Sequence, residues 1–235
     1  MVKGRRELRE DEIVTALAER VRTWRWTPHD TFLREVAQTS GGAELLVREA
    51  RDIDRPDRVL FIAALGDAPG SVGLELLRYV AAFDTTTDIR CAAIIALLNR
   101  QDPSAGDIAA AAFNDRSPAV RDYALLGLAI AGTDDRWDAA FERIKKQWRR
   151  PPKVGAKPIP RDVLLLCYLL EHASGRRLDL LSQEVQRSWS RIDPESVACI
   201  EEVWPTVRDA GGIESTRPDA REIRDWVIQN SWLLD

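Results

Sequence analysis

The chain is 235 residues long, 45% hydrophobic and 31% charged, with a formal net charge of −4. That balance excludes a disordered chain and leaves length for a substantial core, in one large domain or two small ones. An acidic total with pI ≈ 5.4 also weakens any reading in which the whole surface meets nucleic acid.

The opening "MVKGRRELREDE" is basic and then acidic, with no apolar stretch behind it, so no secretory signal is expected. The longest purely apolar run, "VLLLCYLL" from Val163 to Leu170, falls far short of the roughly 20 residues of a membrane span. A cytoplasmic protein without a membrane partner is the expectation. Trp24 and Trp26 near one end, and Trp226 and Trp232 near the other, suit lids over the apolar ends of a helical array.

The middle of the chain repeats itself. Asp52 and Arg58, Asp84 and Arg90, and Asp115 and Arg121 each place an Asp six residues before an Arg. Ala64–Leu65, Ala96–Leu97 and Gly127–Leu128 then follow at matching offsets, and the arginines stand 32 and 31 residues apart. A period of this length marks a stacked array. Val120, Ala124, Leu125 and Leu128 share one helical face, as do Ile89, Ala93, Ala96 and Leu97. Asp115 or Ser117 can cap the helix start, and Pro118 suits its first turn. Partner helices are predicted over 70–83 and 103–113, and strand signals are nearly absent.

Two helices per unit of about thirty residues, the second opening on "D-x-x-x-x-[IV]-R-x-x-A", resemble the HEAT-repeat family in its short bacterial form. The resemblance covers roughly residues 52–132. It implies an all-α fold, an α-solenoid of stacked antiparallel helix pairs with atypical capping helices at both ends. It further implies that each Asp sits in the turn between paired helices. Each Arg would reach an Asp of its own or the adjacent unit, giving a structural ladder of Asp52, Arg58, Asp84, Arg90, Asp115 and Arg121. Some HEAT-like proteins are enzymes, among them alkylpurine DNA glycosylases and bilin lyases, but here that rests on fold analogy alone.

After Gly132 the pattern breaks. A helix is predicted over 134–148, then the proline-rich stretch 149–160. "RDVLLLCYLL" from Arg161 next overlays "RDYALLGLAI" from Arg121. The expected organisation is therefore one solenoid domain: an N-terminal cap and repeats over 1–148, an inserted loop at 149–160, and further repeats with a C-terminal cap over 161–235. A fainter copy occupies 217–230, and Asp193–Pro194 supplies a cap and first turn for another helix that Pro205 should kink or end.

Charge is concentrated at this insertion. Arg143, Lys145, Lys146, Arg149, Arg150, Lys153, Lys157 and Arg161 fall within 143–161 with no acid among them. One reading is a solvated loop beside acidic helices. The other is a partner-binding element, with Trp148 stacking on a base or packing under a partner. The favoured partner is another protein with an acidic patch, in an adaptor, regulatory or inhibitor role. Nucleic acid is the alternative, and its binding would fall steeply with salt.

Nothing in the sequence announces chemistry. No nucleophile elbow, phosphate loop, dinucleotide fingerprint or zinc-protease motif occurs. Trp137 beside Asp138 is the one glycosylase-like juxtaposition. Cys91, Cys167 and Cys199 are far apart among apolar neighbours, and His29 and His172 stand alone, so reduced thiols and no metal, cofactor or catalytic residue are expected.

Overall fold

The computed structural model describes residues 31–39, 41–55, 57–149 and 161–203. Among them the chain is helical throughout its regular structure, with no strand. Backbone contacts divide it into two compact units, Met1–Ile108 and Ala109–Asp235. The division falls inside a helix and not at the predicted insertion.

The first unit contains α1 (Thr31–Ala37), α2 (Gly42–Ala50), α3 (Arg58–Ala64) with one 3-10 turn (Leu65–Asp67), α4 (Leu74–Phe83) and α5 (Thr87–Asn99). Helix α6 (Ala105–Ala112) spans the division. In this unit α5 packs on both α3 and α4, α2 packs on α3, and α1 lies on α2 and α3. Leu46, Ile62, Leu65, Leu77, Ile94 and Leu97 fill the space between them, all fully buried. The small residues at matching offsets serve this approach. Gly66 comes so near α5 that a Cβ there would meet the Ala96 Cα at 3.1 Å.

The second unit contains α7 (Pro118–Ala131), a 3-10 turn (Asp134–Arg136), α8 (Trp137–Trp148), α9 (Arg161–Glu171), α10 (Arg176–Ser188), a 3-10 turn (Trp189–Arg191) and α11 (Pro194–Val203). Helix α9 is its centre, packed on α7, α8 and α11. Every residue of the run Val163 to Leu170 is at most 1% exposed, so the helix is apolar all round because helices cover it on several sides. No helix among the described residues is long and apolar enough to cross a membrane.

One local device starts helix after helix. The Oδ1 atoms of Asp84, Asp102, Asp115 and Asp193 each accept the backbone N–H two residues on, at Thr86, Ser104, Ser117 and Glu195, over 2.7–3.0 Å. This Asx turn satisfies a donor that the first helical turn would otherwise leave unpaired. The cap at α7 therefore comes from Asp115, while the side chain of Ser117 itself makes no cap bond. That is why the Asp, and not the residue at the helix boundary, recurs with the period of the repeat.

Candidate functional site

The repeated arginines are internal fasteners. Arg58 is 6% exposed; its Nε donates to the Ala50 carbonyl at 2.6 Å and its Nη1 to Asp84 Oδ2 at 2.5 Å. One side chain thus joins the end of α2, the start of α3 and the turn before α5. Arg90 Nη1 donates to the Asp84 carbonyl at 2.7 Å, and Arg121 Nη1 to the Asp115 carbonyl at 2.7 Å. Asp84 therefore binds an Arg from each side. Asp52 is in an exposed turn and accepts the Asp54 N–H. The main-chain carbonyls that receive Arg90 and Arg121 were not legible from the residue pattern.

Arg78 and Asp102 form a further pair that the spacing did not reveal. Arg78 Nη2 donates to Asp102 Oδ2 at 2.5 Å. The Arg78 guanidinium, helped by Ser104, holds the Asp102 carboxyl down at about 2. Arg100 at the end of α5 donates to the Leu65 and Val72 carbonyls at 2.9 and 3.0 Å, and so ties down the loop ahead of α4.

The basic strip divides. Arg143 lies over the Phe113 ring at 4.4 Å and donates to the Phe113 carbonyl at 2.9 Å. Lys145 pairs with Glu142 at 2.5 Å. Arg161 is bidentate on Asp122, through Nε and Nη2. Trp148 is 2% exposed and its indole N–H donates to Asp162 Oδ2 at 3.1 Å. It therefore belongs to the core and presents no face for stacking. Lys146 and Arg149 are exposed. Arg150, Lys153 and Lys157 lie outside the described residues, as do Trp24, Trp26, Trp226, Trp232, Pro205, the 149–160 loop except Arg149, and the 217–230 copy.

Asp162 anchors a buried polar cluster in the second unit. It is 2% exposed, and its Oδ1 meets the Ser196 Oγ at 2.7 Å. The same hydroxyl also contacts Asp193 Oδ2. A hydroxyl carries one proton, so the two carboxylates compete for it. Asp193 accepts the N–H groups of Glu195 and Ser196 at 3.0 and 3.1 Å. Burial pushes the Asp162 carboxyl up, and the charge of Asp193 adds to the shift. The Asp162 hydrogen bonds link α8, α9 and α11.

The glycosylase-like juxtaposition comes apart in three dimensions. Trp137 is 1% exposed and donates to the Leu169 carbonyl at 3.0 Å, while Asp138 is 88% exposed at its side chain. Cys91 and Cys167 are buried free thiols and Cys199 is half-buried. His172 stacks obliquely on Tyr168, and burial lowers its pKa. Among the described residues no group of three His, Cys, Asp or Glu could hold a metal ion.

Three large apolar side chains of the first unit are well exposed. Tyr79 and Phe83, four residues apart on α4, form a tilted ring pair with centroids 5.5 Å apart. They are 62% and 71% exposed, and Ile53 in the turn after α2 is 76% exposed. Periodicity missed them, since a single aromatic pair on a helix reads equally well as core. Protein-family models, curated protein sequences and solved structures contain no match to this chain.

Proposed function

We propose that the chain is a non-catalytic protein-interaction module, built as a HEAT-like solenoid of antiparallel helix pairs, and that a partner docks on α4. The observation that carries this is the exposed Tyr79–Phe83 pair. Aromatic side chains are enriched among the few residues that supply most binding energy at protein interfaces. Exposed Glu75 and Arg78 on the same helix would give the patch a polar rim. Recurrent packing of Arg-bearing helices on one another, α3 on α5 and α7 on α9, supports the solenoid. The conversion of the conspicuous polar residues into internal bonds favours a scaffold over an enzyme. Adaptor, regulatory-subunit and inhibitor roles all fit such a surface.

A photo-crosslinking residue placed at Tyr79, with one at exposed Glu44 as reference, tests this in the native cell. The expected result is one discrete protein adduct from position 79 and none from position 44. Equal patterns from both positions would contradict the proposal.

A further inference from the structure

Three guanidinium groups gather in the second unit near the start of α7. Arg121 bonds the carbonyls of Asp115 and Arg116, and Arg143 bonds the carbonyl of Phe113 in the same inter-helical turn. Arg161 arrives from α9 and pairs with Asp122, the residue next to Arg121. Burial lowers the pKa of Arg143, the fields of Arg121 and Arg161 lower it further, and Asp122 opposes the shift. Like charges drawn together in this way are costly unless something anionic offsets them.

The repeat explains how the excess arises. Arg58 reaches the Asp of the following repeat, Asp84. The copy that follows Arg121 carries Arg161, and six residues before it stands Gly155 where the earlier copies have Asp. The third rung is therefore written without its carboxylate. The Asp115 side chain also turns back on its own helix start, accepting the Ser117 N–H. Among the described residues, no bond engages Nε or Nη2 of Arg121, Nε or Nη2 of Arg143, or Nη1 of Arg161. All three side chains are half-exposed, so solvent reaches them.

We infer that Arg121, Arg143 and Arg161 form a binding site for a phosphate dianion. Guanidinium forks match the oxygens of a phosphate, and their charge persists at every physiological pH. Asp122 holds the Arg161 fork in place, and the Phe113 ring supports Arg143 from beneath. This site does not depend on the partner surface proposed on α4.

The probe is inorganic phosphate at pH 7.5, compared with chloride at equal ionic strength. Thermal melting of the full chain is followed in the wild type, Arg143→Gln and Arg121→Gln. The expected result is a wild-type melting point about 2–4 °C higher in phosphate, and a smaller rise in each variant. Phosphate also stabilises proteins by exclusion from their surfaces, and that general effect survives in the variants. An equal rise in wild type and both variants would overturn the site. Should a variant fail to fold, phosphorus NMR with the wild type decides. Broadening of the phosphate signal that chloride does not reverse supports the site, and an unbroadened line overturns it.

Discussion

Replacing Arg58 with Ala is expected to cost about 3–5 kcal/mol, the range for breaking a buried ion pair by removing one partner. The side chains of Arg58 and Asp84 are 7% and 8% exposed. Without the guanidinium, Asp84 Oδ2 keeps its burial and loses its cation, and the Ala50 carbonyl loses its donor. Removing the acid as well should recover part of the loss, since no buried charge is then left alone. Asp84 also caps α5 through Thr86, so recovery is incomplete; chemical denaturation of the two single variants and the double variant reads this directly. A cost near zero would mean that the arginine is a surface residue, in conflict with its position.

Trp148→Ala should be comparably severe, about 3–5 kcal/mol from the lost packing of a buried indole. It also removes the N–H that Asp162 Oδ2 accepts. The wild-type pH dependence follows from the sign of the Asp162 shift. The folded carboxyl is raised above its unfolded value of 3.8, so the native state holds this proton more tightly than the unfolded chain does. The contribution is fully present below that unfolded value and is lost as pH rises through the folded one. The groups facing Asp162 do not offset this. Trp148 from α8 and Ser196 from α11 are neutral donors, Asp193 adds negative charge, and the charge of Asp122 on α7 is taken up by Arg161. Asp162→Asn replaces the carboxyl with a neutral amide of the same shape, keeping an acceptor for Trp148. It should melt no lower than the wild type at neutral pH and should remove this part of the decline with pH. A variant that is much less stable at neutral pH, with the decline unchanged, would show that Asp162 is not the group responsible.

The helices and the spacing of their fasteners were legible because both are local. A period of 31 or 32 residues fixes where Asp84 and Asp115 fall, and an Asp two residues ahead of the N-cap makes the same turn each time. What each Arg meets is not local. Arg58 crosses 26 residues to Asp84, whereas Arg121 bonds the carbonyl six residues behind it. Where the side chains of the basic strip point is likewise not local. Residues adjacent in sequence pointed Trp148 into the core and Arg161 onto Asp122, 39 residues away, while Lys146 and Arg149 stayed on the surface. Exposure of Tyr79 and Phe83 depends on which face of α4 the rest of the unit covers, and no window of sequence contains that.

The central claim is that Tyr79 and Phe83 bind a partner and contribute little to the fold. The most direct measurement combines thermal melting with affinity for the crosslinked partner, in the Tyr79→Ala and Phe83→Ala variants. The account predicts a stability change within about 0.5 kcal/mol, as for ordinary surface positions. It also predicts at least one variant binding about 30-fold more weakly, the loss of an interface anchor worth about 2 kcal/mol. Unchanged affinity in both variants, with the melting points preserved, would contradict it.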